Sequence, residues 1–332
     1  MTCRMITGTE QKLTEKQLSD LEYSTLILNS PVARSLAVIG DRWAFLILRD
    51  VFLGIRRFEA LRTRSGAARG TLTARLKSLV ENEILYRKPY QESPTRYEYR
   101  LTERGVDLYP MVMAVWDWET RWSQENEIPP ALTHIPCDHD FRPLFRCADC
   151  HELIRLREVS FKPGDPGSEA ESIPARFQRR TRTPTASEEG VDRRFFHVLD
   201  VIGDRWSGLV VAAMYFGLNR YDEIASALDI ATNVLSDRLK LLVANGILQK
   251  VPYQRRPVRH QYRLTEKGAA LYNVTLQMHE WACRWLLEEN QEPVILFHRL
   301  CGAQLHSEMV CSHCEAELHG SEVAFERDFE LP

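Results

Sequence analysis

Much of this chain occurs twice. Ile39-Gly40-Asp41-Arg42-Trp43 returns as Ile202-Gly203-Asp204-Arg205-Trp206, and residues 39–122 align without a gap to residues 202–285, with 34 identities in 84 positions. Tyr99-Arg100-Leu101-Thr102-Glu103 reappears as Tyr262-Arg263-Leu264-Thr265-Glu266, and Pro89-Tyr90-Gln91 as Pro252-Tyr253-Gln254. Identity at that level marks a tandem duplication of a module of roughly 120 residues. Two copies in 332 residues call for two similar domains rather than a solenoid. Between them lie Lys162-Pro163-Gly164-Asp165-Pro166-Gly167-Ser168 and Arg179-Arg180-Thr181-Arg182-Thr183-Pro184-Thr185, whose Pro, Gly, Ser and charge without apolar periodicity read as a flexible linker.

Within one module the period of the apolar residues changes. Leu36, Ile39, Trp43, Leu46, Ile47 and Val51 are spaced by three and four, which predicts one helix from Pro31 to Val51, ended by Gly54. Phe58 and Leu61 predict a short second helix, Ser65-Gly66 a turn, and Leu72, Leu76, Leu79 and Val80 a third helix with one apolar face, closed by Asn82-Glu83-Ile84. Ile84–Lys88 and Tyr97–Leu101 are rich in β-formers and flank Glu92-Ser93-Pro94-Thr95, the pattern of a hairpin. Thr102 can cap a short turn ending at Gly105. Pro110 suits the first turn of a last helix carrying Val112, Val115, Trp116 and Trp122. Copy two repeats each element. Helix, helix, turn, helix, hairpin, helix is the order of a winged helix-turn-helix, in which the second helix of the pair enters the major groove and the hairpin is the wing.

Charge agrees with that order. The net charge is -3, yet residues 49–104 hold 13 Lys/Arg against 7 Asp/Glu and residues 212–267 hold 9 against 5. Two basic islands in an acidic chain match the two modules and point to double-stranded DNA. On the polar side of the third helix copy one offers Arg69, Thr71, Thr73, Arg75 and Lys77, and copy two Thr232, Asn233, Ser236, Arg238 and Lys240. Arg and Asn can read base edges, while Ser, Thr and Lys more often hold phosphates. Each wing places an arginine at the same position, Arg96 and Arg259. Copy one has the more basic helix-turn-helix, with Arg56, Arg57, Arg62 and Arg64 as well, and copy two adds Asp229 and Asp237. Trp43, Trp118, Trp206 and Trp281 are read as core.

Ile39–Trp43, Leu72–Leu76 and Tyr99–Gly105, together with Ile202–Trp206, Leu235–Leu239 and Tyr262–Gly268, resemble the HxlR-type winged-helix transcriptional regulators over about 200 residues in two blocks. The resemblance implies sequence-specific DNA binding. Such regulators are usually small homodimers on roughly palindromic operators, paired through terminal helices, so two copies in one chain imitate the dimer. Many of them carry a cysteine just ahead of the first helix, used by some as a redox switch. Here that place holds Ser30 and Arg193, and thiol sensing of that kind does not carry over.

The eight cysteines have their own pattern. His134-x2-Cys137-x9-Cys147-x2-Cys150 follows copy one, and His298-x2-Cys301-x9-Cys311-x2-Cys314 follows copy two. Paired ligands two apart are zinc spacing, and Cys3His is a closed tetrahedral set suited to structure rather than catalysis. Each cluster is expected to hold one zinc ion from its own four residues. Free or redox-active thiols and another metal are the competing readings, and three cysteines per unit in a chain of cytosolic character suit disulfides poorly. Cys283 is expected to be a small buried residue on the last helix.

The expected fold is mainly α with small β wings. It runs as an N-terminal helical segment (1–28), winged helix-turn-helix 1 (29–128), zinc knuckle 1 (129–160), a linker (161–190), winged helix-turn-helix 2 (191–290) and zinc knuckle 2 (291–332). Leu13–Leu28 could pair two chains or cover the tandem's own surface. The expected function is sequence-specific transcriptional regulation in the cytoplasm, without a membrane segment or enzymatic activity; an unidentified small-molecule effector is left open. The alternative is a protein-interaction or ligand-sensing regulator in which one copy no longer binds DNA. No His-Glu-x-x-His, phosphate loop or nucleophile elbow supports an enzyme.

Overall fold

The computed structural model describes residues 19–123, 131–165, 191–192, 194–288 and 291–325. The stretch expected as one helix is two, α2 (Pro31–Ile39) and α3 (Arg42–Phe52), after a short α1 (Asp20–Leu28). Gly40 and Asp41 make the break. The Asp41 carboxylate caps α3 by accepting from the Trp43 and Ala44 N–H groups. A Cβ at Gly40 would collide with the Leu36 carbonyl oxygen, so only glycine lets the chain turn there. The remaining elements of the first module are α4 (Phe58–Ser65), α5 (Arg69–Glu81), a hairpin of β1 (Leu85–Glu92) and β2 (Thr95–Leu101), α6 (Glu103–Val106) and α7 (Tyr109–Trp122). Thr102 caps α6 as expected, accepting from Gly105 N–H.

Four short strands follow, β3 (Leu132–His134), β4 (His139–Phe141), β5 (Pro143–Cys147) and β6 (Val159–Pro163). The second module repeats the helical plan as α8 (Phe196–Ile202), α9 (Arg205–Tyr215), α10 (Tyr221–Leu228), α11 (Thr232–Ala244), β7 (Leu248–Arg255), β8 (Val258–Leu264), α12 (Glu266–Ala270) and α13 (Tyr272–Trp285). It ends with β9 (Val294–His298), β10 (Ser307–Cys311) and β11 (Val323–Phe325). Asp204 caps α9 through Trp206 and Ser207 N–H, as Asp41 does in the first copy.

The two modules share one hydrophobic core, to which Trp43, Trp118, Trp206 and Trp281 all belong. Helix α2 packs on α13, α8 on α7, and α7 on α13. The contacts are reciprocal. Trp118 Nε1 donates to the Lys267 carbonyl at 3.0 Å, and Trp281 Nε1 to the Arg104 carbonyl at 2.9 Å; Arg104 and Lys267 are aligned positions of the repeat. Strand exchange follows the same symmetry. β5 pairs antiparallel with β10 with Phe145 opposite its own counterpart Met309, so a pseudo-two-fold axis passes through that pair. β3 pairs with β11, and β9 with β6, two copies of one arrangement. Helix α1 lies against α10 and α9, so this part of the N-terminal segment covers the tandem's own surface. The rest of that segment, most of the linker and Arg193 lie outside the described residues.

Candidate nucleic-acid interface and metal centres

The leucines of α5 and α11 define which side chains face outward. Leu72, Leu76 and Leu79 of α5 and Leu235, Leu239 and Leu242 of α11 are buried. Arg69, Thr73 and Lys77 are exposed on α5, with Thr71 half-buried; Thr232, Asn233 and Lys240 are exposed on α11. Several of these groups are already engaged. Arg69 and Arg62 both pair with Glu59, and the Thr73 hydroxyl donates to the Arg69 carbonyl at 2.9 Å. Ser236 is half-buried, its hydroxyl 3.1 Å from the Tyr221 hydroxyl, which also donates to the Thr232 carbonyl.

Arg75 and Arg238 do not stand free on the reading face. Arg75 Nε lies 3.2 Å from Asp41 Oδ1, and Arg238 Nε lies 2.9 Å from Asp204 Oδ1. Each arginine ties its helix, α5 or α11, to the carboxylate that caps the preceding core helix. Burial pushes the Asp41 carboxyl up, while the Arg75 charge and the two capping N–H groups oppose that rise. Arg64, counted among the basic residues of copy one, is buried as well. It bonds Asp50 at 3.1 Å and Asp192 at 2.7 Å, in a network that Arg49 and Arg194 complete. Burial would raise the Asp192 carboxyl, but the hydrogen bond from Arg194 and the charges of Arg49 and Arg64 outweigh it and hold it at about 2. Because Arg75 and Arg238 are engaged alike, it is the buried Arg64 that makes the excess basic charge of copy one smaller at its surface than in its sequence.

The wings are exposed, basic and aromatic. Arg96 and Arg259 sit near the hairpin tips, facing Gln91 and Gln254 in register. Arg57 stacks 4.6 Å over Tyr90, and Arg220 4.7 Å over Tyr253, the same pair in each copy. The sequence shows Arg57 as a basic residue and Pro-Tyr-Gln as recurring in both hairpins, but not that the arginine and tyrosine stack.

The Cys/His residues gather into two clusters, but not along the chain as expected. One contains His134, Cys137, Cys311 and Cys314; the other contains Cys147, Cys150, His298 and Cys301. The expectation of one local cluster per copy is therefore corrected: each cluster takes half of its donors from each copy. The cause is the β5–β10 pairing, which runs Cys147 alongside Ser307 and carries each Cys-x-x-Cys turn across to the other copy's His-x-x-Cys turn. His134 Nδ1 lies 3.3 Å from both Cys137 and Cys314 Sγ. His298 Nδ1 lies 3.2 Å from Cys150 Sγ and 3.6 Å from Cys301 Sγ, and Cys147 and Cys301 Sγ are 3.9 Å apart. Metal–sulfur bonds of about 2.3 Å in a tetrahedron place sulfurs about 3.8 Å apart, so these separations fit a four-coordinate ion. The described cysteines are free thiols, not disulfides.

Both copies match the HxlR-like helix-turn-helix family, over residues 38–127 and 201–290. The chain belongs to the HxlR-like family. It is a helix-turn-helix transcriptional regulator with two HxlR domains in tandem, and the family implies DNA binding. An uncharacterised HTH-type transcriptional regulator of Mycobacterium tuberculosis, Rv3095, is 41% identical over 140 residues, 42% of this chain and 88% of the relative. The HTH-type transcriptional regulator YodB of Bacillus subtilis is 37% identical over 83 residues, 25% of this chain and 74% of its own. The solved reduced form of YodB aligns with 27% of this chain and 90% of that one, at 34% identity and a TM-score of 0.26. In this HxlR-like tandem no helix among the described residues is long and apolar enough to cross a membrane. Ser30, at the place of the family's cysteine, caps α2 by accepting from Ala33 N–H and donates to the Ile27 carbonyl.

Proposed function

We propose that one chain acts as its own dimer on DNA, with two structural zinc ions locking the two copies together. The observation that carries this reading is the crossing of the Cys/His clusters about the pseudo-two-fold axis of the shared core. In a C2 dimer the interface is self-complementary. Here the same reciprocity is built within one chain, through Trp118 with Lys267 and Trp281 with Arg104.

The donors suit zinc. His134 and His298 are fully buried, their Nδ1 atoms turned to sulfur and their Nε2 atoms without a hydrogen-bond partner. Buried imidazoles with that orientation are better explained as ligands than as hydrogen-bonding residues. Three sulfurs and one nitrogen complete a tetrahedron, which leaves no position for a reacting water and makes a structural ion the fitting one. Zinc would be held by His134, Cys137, Cys311 and Cys314, and by Cys147, Cys150, His298 and Cys301, and would supply cross-links between the copies.

On DNA, Arg69, Thr71, Thr73 and Lys77 of α5 and Thr232, Asn233 and Lys240 of α11 face the groove, and Arg96 and Arg259 on the wings reach phosphates or the adjacent groove. Arg75, Ser236 and Arg238 act behind this surface by fixing the helices. Arg69-Gly70-Thr71 differs from the aligned Thr232-Asn233-Val234, so the two half-sites differ in sequence. Selection of bound duplexes from a random pool, followed by footprinting, tests the reading. Two unlike half-sites about one helical turn apart support it. A single half-site, or a strict palindrome, counts against it.

A further inference from the structure

A third cluster lies apart from both zinc-type sets. His279 and Cys283 stand four residues apart on one face of α13, and Glu292 approaches them from the loop before β9. His279 Nε2 is 3.1 Å from Glu292 Oε1, and Cys283 Sγ is 3.7 Å from the same oxygen. The second Glu292 oxygen accepts from Gln304 Nε2 at 3.1 Å, which fixes the carboxylate's orientation. His279 is buried and Glu292 is 26% exposed, so the cluster opens to solvent on the carboxylate side.

The repeat provides an independent comparison. The positions aligned with His279 and Cys283 in copy one are Trp116 and Thr120. Beyond the last helix Glu125-Asn126 matches Glu289-Asn290, which aligns Ile128 with Glu292. Three positions distant in sequence thus carry ligand-forming groups together in copy two and none in copy one. A buried histidine that served only as packing would need no thiol and carboxylate at the other two places.

We infer that His279, Cys283 and Glu292 form an exchangeable site for a divalent transition-metal ion, distinct from the two structural clusters. Imidazole, thiolate and carboxylate suit a borderline ion such as Zn(II) or Co(II) rather than Mg(II) or Ca(II). Bonds of about 2.0 Å to nitrogen and oxygen separate those atoms by about 3.3 Å in a tetrahedron, close to the spacing present. Three protein donors leave a fourth position for water or an incoming ligand, unlike the closed Cys3His sets. On binding, the Cys283 thiol gives its proton to solvent and becomes the thiolate ligand.

The test uses the full-length, zinc-loaded chain, dialysed against a weak chelator and titrated with Co(II). The expected result is one further equivalent bound per chain, with thiolate-to-cobalt absorption, while the zinc content at the two Cys3His clusters stays unchanged. Cys283→Ser abolishes that absorption, and Glu292→Gln weakens binding at least tenfold. Glu292 is partly exposed, so its variant provides the answer if Cys283→Ser fails to fold. No further equivalent, an equivalent that survives both substitutions, or cobalt absorption that appears only as zinc is released would overturn the assignment.

Discussion

Replacing Cys147 by Ser separates the crossed arrangement from a local one. In the crossed arrangement Cys147 groups with Cys150, His298 and Cys301, and its nearest cysteine sulfur across the copies, Cys301 Sγ, lies 154 residues away in sequence at 3.9 Å. The variant is expected to lose one of two zinc ions per chain and to expose Cys150 and Cys301 to alkylation, while Cys137, Cys311 and Cys314 stay protected. In cross-link terms, closing a loop of that length is worth about 5 kcal/mol when no other tie exists. With the His134 cluster intact, only the two arms between the clusters remain to be closed, roughly 20 residues together, which gives about 3 kcal/mol. Loss of one site should therefore cost clearly less than loss of both, and adding Cys314→Ser should cost more than Cys147→Ser alone. Zinc analysis, alkylation with peptide mass mapping, and denaturant unfolding read all three quantities. Labelling of Cys137 together with Cys150 while Cys301 stays protected would refute the crossing. Free reactivity of all six cysteines in the parent chain would refute the metal.

Arg238→Ala should destabilise the fold by about 1–3 kcal/mol, because the Asp204 cap loses its charged partner, whereas Lys240→Ala should leave the thermal midpoint unchanged and weaken DNA binding. Removing Arg96 or Arg259 should flatten the dependence of log K on log salt by about 0.9 for each phosphate left without its cation, read by titrating the selected duplex at several salt concentrations. Asp192→Asn leaves Arg49, Arg64 and Arg194 without their shared carboxylate and should cost about 3–5 kcal/mol in unfolding free energy. The Asp192 carboxyl is held at about 2, below its usual value near 4, so its stabilisation is fully present above about pH 4 and is lost as the pH falls toward 2. The parent should lose stability over that window more steeply than the variant.

Local chemistry was legible in the sequence where it repeats at short range. The leucine spacing of α5 and α11, the cap at Thr102 and the turn at Ser65-Gly66 each rest on interactions within a few residues. The break between α2 and α3 was visible in Gly40-Asp41, but the apolar period running through it masked the cap. The pairing of Arg75 with Asp41 and of Arg238 with Asp204 was not legible, because helical spacing says which side of a helix a residue is on, not that a capping carboxylate from another helix waits there. The burial of Arg64 was hidden for the same reason, its partner Asp192 being 128 residues away. The Cys/His donors were recognisable as types because two-residue spacing is imposed by the turn itself. Their grouping was not, since His-x-x-Cys fits either Cys-x-x-Cys turn equally well and the choice is made by β5 pairing with β10.

In the proposed reading a single chain supplies both halves of the DNA-reading pair. Native mass measurement of the complex with the selected duplex tests it directly. One chain with its two structural zinc ions on one duplex, protecting two unlike half-sites, is the predicted result. Two chains on a strictly palindromic duplex would contradict it and make the tandem half of a larger dimer.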